Sequence, residues 1–212
     1  MAKPEQLHLI LIRAGSSTWD EAGRIVGDAD LPMTDAGRAD VEAAIEQLDG
    51  MKLAAVFAGT DEASEQTAAA AAGLAACKPK TCTTINEVDL GLWEGLMPGE
   101  AEEKYPTVFK QWSHDPTSVT PPEGEPLSDA EDRIITGLAK ALDKIKSDGE
   151  PVVGIVLRPI ALGIVRTWLT DGNLRELWDE MERCEPIERH VIRREAIVSA
   201  KDRAPAERAA RA

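Results

Sequence analysis

The side chains of this chain best suited to hold an anion or move a proton are Arg13, Asp20, Glu87 and Arg158. Each lies at the end of a short apolar run or in the loop that follows one. Arg13 closes the run Leu7-His-Leu-Ile-Leu-Ile12 and is followed by Ala14-Gly15-Ser16-Ser17-Thr18-Trp19-Asp20. Arg158 closes a run ending at Leu157 and precedes Pro159; Glu87 follows Ile85-Asn86. Two guanidinium groups could clamp an anion while a carboxylate passes a proton, a form of help typically worth roughly 10^2 to 10^4-fold in rate. Arg24 offers a further cation. Ser16 and Ser17 have no evident histidine base, so they suit hydrogen bonding in the turn better than a nucleophilic triad. The four charges nearly cancel, whereas an anion clamp calls for net positive charge.

The elements that must position these groups alternate. Leu7–Ile12, Leu53–Phe57, Lys80–Ile85 and Pro151–Leu157 read as buried strands, being short, β-branched or Leu-rich and bounded by turn residues. Between them, 35–48 and the alanine-rich stretch to about residue 76 read as helices, capped by Thr34 and by Thr60 or Asp61. Helical character in 100–112 is broken by Pro106, and 113–125 is a proline-rich loop. Ser128 is placed to cap a long helix to about Lys146, Pro159 starts the next, and Asn173 caps a short one to about Met181. The segment 187–198 reads as a charged edge strand, and the chain from Lys201 as a frayed tail. Strands alternating with helices give an α/β fold with a mainly parallel sheet. In such sheets ligands sit at the carboxyl ends of the strands. Three strand ends, carrying 13–20, 58–66 and 157–159, therefore converge with Glu87 on one crevice.

Composition bounds the function. The 212 residues suffice for one medium domain. A net charge of -14 argues against a nucleic-acid partner. The polar start Met1-Ala-Lys-Pro-Glu5 is unlike a signal peptide and no apolar run approaches membrane-span length, which points to a cytoplasmic protein without membrane association. Cys77, Cys82 and Cys184 have no paired Cys-x-x-Cys spacing, so neither zinc nor another cofactor is expected.

The order of short motifs resembles the histidine phosphatase superfamily, the phosphoglycerate-mutase-like fold. That family opens with a strand ending Arg-His-Gly, then Thr, Trp-Asn, Arg, Gly and a Leu-Thr-x-x-Gly helix start. This chain has Arg13-Ala14-Gly15, Ser17, Trp19-Asp20, Arg24, Gly27 and Met33-Thr34-Asp35-Ala36-Gly37. Ala63-Ser64-Glu65-Gln66-Thr67-Ala68 matches the second block, Arg-Ala-x-x-Thr-Ala. Ile85-Asn86-Glu87 and Gly91-Leu92-Trp93-Glu94-Gly95 match the third, Gly124-Glu125-Pro126 with Arg133 the fourth, and Leu157-Arg158-Pro159 the last, Ser-His-Gly. The resemblance spans about 7–169. It implies a three-layer α/β/α sandwich with a mainly parallel central sheet, as one domain over 1–200 with a lid-like insertion at 98–125; the Ala- and Arg-rich end, 201–212, is expected to be a disordered tail.

The resemblance also implies phosphoryl transfer through a phosphohistidine, with two Arg and a second His neutralising the phosphoryl oxygens and a Glu protonating the leaving group. The nucleophile position is here Ala14, the second Arg position Ala63 and the second His position Arg158, while Asp20 replaces the Asn; Arg13 and Glu87 keep the family's identities. A methyl group has no lone pair to attack phosphorus. The expected function is therefore a pseudoenzyme of the superfamily with a binding or regulatory role, its ligand held by Arg13, Arg158, Ser17 and Arg24. Its partner would be a small anionic or phosphorylated metabolite or another protein, a homodimer being one form. The alternative is an altered phosphoester hydrolase using catalytic Glu87 with Arg13 and Arg158. A third reading keeps phosphatase or mutase activity through His114, the histidine of the lid-like segment. His8 lies about 16 Å along its strand from Arg13, at ~3.3 Å per residue. Trp112, Trp168 and Trp178 are expected as packing residues.

Overall fold

The computed structural model describes residues 2–75 and 77–202. Strand β1 (Gln6–Arg13) runs parallel to β4 (Val152–Leu157) on one side and antiparallel to β5 (Ile187–Arg193) on the other. Beyond β4 lie β2 (Leu53–Ala58) and β3 (Pro79–Thr81), both parallel, in the order β3-β2-β4-β1-β5. The sheet is thus mainly parallel, as the alternation of elements requires.

Strand alternation divides the core between the two faces. Leu7, Leu9 and Leu11 pack with the apolar faces of α6 (Leu127–Asp143) and α7 (Pro159–Leu169). Ile10 and Ile12 point the other way, against α2 (Asp35–Ile45) and α3 (Glu62–Leu74). Burial of β1 on both faces explains its nearly continuous apolar sequence. Thr34 and Asp61 cap α2 and α3 by accepting from Gly37 N and Ser64 N. No helix among the described residues is long and apolar enough to cross a membrane.

Several elements depart from the sequence reading. The third strand stops at Thr81, and Thr83–Ile85 forms a 3-10 turn that carries Ile85 into the core. The break expected at Pro106 is present, and it separates two helices that begin with Pro98 and Pro106. Each proline occupies the first turn of its own helix, α4 (Pro98–Lys104) and α5 (Pro106–His114), where a missing N–H costs nothing. The long helix begins one residue before Ser128, after Pro126, and ends at Asp143. The expected edge strand over 187–198 is half right: the chain leaves the sheet at Arg193 and coils into α9 (Arg194–Lys201), burying Ile197 and Ala200, three apart, on one helical face. The expected disordered tail falls, from residue 203, outside the described residues.

The Thr34-x-x-Gly37 helix start has a steric cause. A Cβ at Gly37 would stand 2.5 Å from Ser16 O and 2.7 Å from Ser16 N, so α2 packs directly on the backbone of the loop after β1. Gly37→Ala is expected to lower stability by about 1–3 kcal/mol. Gly73→Ala, in α3 with nothing within 4 Å of the added Cβ, is expected to raise it by about 0.5–1 kcal/mol. Urea denaturation of the two variants checks the pair.

Candidate functional site

The crevice at the carboxyl ends of β1 and β4 is closed by an ion pair. Arg158 follows β4 as the N-cap of α7 and is 5% exposed. One of its terminal nitrogens donates to both carboxylate oxygens of Asp20, at 2.9 and 3.1 Å, and the other to Gly15 O at 3.3 Å. Asp20 belongs to α1 (Thr18–Glu21), whose N-cap is the fully buried Ser17. Ser17 N and Ser17 Oγ donate to Asp20 Oδ2 at 2.7 and 2.6 Å. Burial alone would raise the Asp20 pKa, but Arg158 and the Ser17 bonds more than offset it and hold the carboxyl below its usual range.

Beside Arg158, Ala14 N donates to Leu157 O at 2.9 Å, which places Ala14 next to the start of α7. Ala14 is 6% exposed and shares an apolar cluster with Met33 and Ala63. Gly15 N donates to Thr67 Oγ1, tying the turn to α3.

Glu87 is held in the loop after β3 by Arg133, whose guanidinium donates to the carbonyls of Thr84, Asn86 and Glu87 and pairs with Glu125. Its own carboxylate caps α7: Oε2 accepts from Ile160 N and Oε1 from Ala161 N, both at 2.7 Å, and Oε1 also from Val88 N at 2.9 Å. Burial dominates and raises its pKa to about 7, with the three backbone bonds and Arg158 acting in the opposite direction.

Glu87, Asp20 and Arg24 line a cavity of about 440 Å³ whose other walls are mostly apolar, including Trp93, Phe109, Trp112, Trp178 and Met181. Arg24 donates to Gly95 O at 2.5 Å and stands 4.0 Å from Glu100. Arg13 is exposed and is not among the lining residues; its charge acts on Cys184, whose thiol burial pushes up to about 11. Ser17 is engaged in capping. His114 is exposed at the end of α5 and lines a separate depression with Pro106 and Lys110. His8 lies by Glu150 at the opposite end of β1, and His190 by Glu188 on β5. Among the described residues no group of three His, Cys, Asp or Glu side chains is placed to hold a metal ion.

Trp112 is buried in the core and Trp178 packs against it, as expected, and both also line the cavity. The role of Arg133 in holding the Glu87 loop was not foreseen. The helical spacing of Phe109 and Trp112 on α5 was the available signal for the aromatic wall.

A family model described as histidine phosphatase superfamily (branch 1) matches residues 9–192. The chain belongs to the histidine phosphatase superfamily. Within that superfamily it is 28% identical to phosphoglycerate mutase-like protein 4 of Arabidopsis thaliana over 183 residues, covering 81% of this chain and 80% of the plant protein. It is 28% identical to phosphoserine phosphatase 1 of Hydrogenobacter thermophilus over 126 residues, 59% of this chain and 60% of that protein. Of other curated relatives it spans as little as 23% or 43% of the length. Among solved structures, Bacillus stearothermophilus YhfR superposes with a TM-score of 0.74 at 27% identity, covering 81% of this chain and 84% of that one. The three-layer, mainly parallel fold is that of these superfamily members.

The buried Glu87 has a consequence for stability. Its folded pKa, about 7, lies above its unfolded value. Folding is therefore favoured most below pH 4.5, and the contribution is lost as pH rises through 7. The wild type is expected to lose up to about 3 kcal/mol relative to Glu87→Gln between pH 4.5 and pH 8. Urea denaturation of both proteins across that range measures the difference.

Proposed function

We propose that this chain is a member of the superfamily that has left phosphohistidine chemistry and acts by binding rather than turnover. The observation that carries the reading is Ala14. The residue in the nucleophile position is a buried methyl, packed with Met33 and with Ala63, which stands where the family's second Arg would. No group there can form a bond to phosphorus, and a nucleophile acting as part of a unit has been worth on the order of 10^6 in rate in another enzyme class.

The remaining charges support the same reading. Arg158, in the position of the second histidine, is neutralised by Asp20. Both oxygens of Glu87 are engaged by backbone N–H groups. Relatives named phosphoserine phosphatase and acid phosphatase support a reading in which the pocket of a phosphatase fold is put to a binding use.

Turnover of p-nitrophenyl phosphate, followed at 405 nm between pH 5 and 8, is expected to stay within tenfold of the buffer rate and to be unchanged in Glu87→Gln. Hydrolysis that is well above buffer and abolished in Glu87→Gln would instead establish the altered hydrolase. Activity lost on His114→Ala would establish a histidine-dependent one.

A further inference from the structure

We propose that the cavity beside Glu87 binds an uncharged, ring-bearing apolar small molecule rather than a phosphorylated one. The inference rests on the binding role argued above and names the chemistry of its ligand.

Three observations carry it. The first is the aromatic wall. Trp93 meets Phe109 edge-to-face at 5.3 Å and 75°, and Trp112 at 5.7 Å and 72°; Trp112 in turn meets Trp178 at 5.5 Å and 65°. All four rings line the same cavity. Edge-to-face arrays present ring faces and edges to which a further ring can add in the same geometry. The volume, about 440 Å³, is that of a site for a small organic molecule.

The second observation is charge. Arg24 is the one cation among the residues lining the cavity, and it is engaged by Gly95 O and faces Glu100. Arg158 lies behind the wall, paired with Asp20. A phosphate dianion entering here would meet the carboxylates of Asp20 and Glu87 and displace no water from a free guanidinium. An ammonium ion would find both carboxylates already satisfied by Arg158, Ser17 and backbone donors. A neutral ligand meets neither cost.

The third is an orphaned donor. Trp93 is fully buried, and its Nε1–H has no partner among the described residues. Buried indole N–H groups usually find an acceptor. Trp178 Nε1 does, donating to Trp112 O at 3.0 Å. A ring-bearing ligand that displaces part of this wall and carries an acceptor oxygen or nitrogen would complete the Trp93 hydrogen bond.

Isothermal titration calorimetry of the full chain with four matched probes tests this. 1-Naphthol is expected to saturate one site, while 1-naphthyl phosphate and 1-naphthylmethylammonium bind at least tenfold more weakly and inorganic phosphate gives no heat. Ser113→Trp, an exposed rim position of the cavity, is expected to weaken naphthol binding at least tenfold without lowering the melting temperature. Phe109→Ala, which removes part of the ring wall, is expected to weaken it as well. No saturable naphthol binding overturns the proposal. So does equal or tighter binding of either charged naphthyl probe, or naphthol binding untouched by both substitutions. Release of naphthol from the phosphate ester is monitored in parallel. Its appearance would contradict the non-catalytic reading, while the ranking of probes alone decides the ligand class.

Discussion

The pair between Arg158 and Asp20 fixes the state of the whole crevice. A buried guanidinium without a carboxylate would cost several kcal/mol, and a partner removed from such a pair leaves the other charge uncompensated. Asp20 can reach Arg158 because Ser17 caps α1 and holds the carboxylate in place. Arg158 can reach Asp20 because β4 delivers it to the start of α7, beside the turn after β1. With that pair formed, the two charges satisfy each other. The same carboxyl ends of β1 and β4 that would place an anion clamp instead place a closed ion pair.

Glu87 follows the same logic. A carboxylate buried among apolar side chains persists only where donors meet it. The N-terminus of α7 supplies two backbone N–H groups and Val88 a third. Arg133 in turn holds the loop that bears Glu87 through three carbonyl oxygens. One residue thus ties the loop after β3 to α7, and its raised pKa reflects that structural position as much as any chemistry. What is left open next to it is the aromatic cavity, whose walls come from α5, α8 (Leu177–Glu182) and the 3-10 turn Gly91–Trp93.

The fold was legible because its signals are redundant. β1 and β4 are apolar on both faces, which only a covered parallel sheet tolerates, and Thr34 and Asp61 mark helix starts by a local hydrogen bond. The strand ends then located Arg158, Glu87 and Asp20 together. Arg13 was misleading: its place at the end of β1 is as expected, but it is exposed and does not line the cavity. The pairing of Arg158 with Asp20 joins residues 138 apart, and nothing local announces it. The cavity was hidden for a related reason. Trp93, the α5 pair Phe109 and Trp112, and Trp178 come from three elements far apart in the sequence, and nothing local announces that their rings meet. Pro106 marked the break between α4 and α5, but not that each of the two helices opens on a proline.

The central claim is that Asp20 holds the crevice closed to anions by occupying Arg158. Titration of orthovanadate into the protein, followed by 51V NMR, measures this directly in the wild type and in Asp20→Asn. The account predicts no bound vanadate signal for the wild type up to millimolar concentration, and a bound signal for Asp20→Asn, in which Arg158 is released. Saturable binding of vanadate by the wild type, undiminished or unaffected by the substitution, would contradict it.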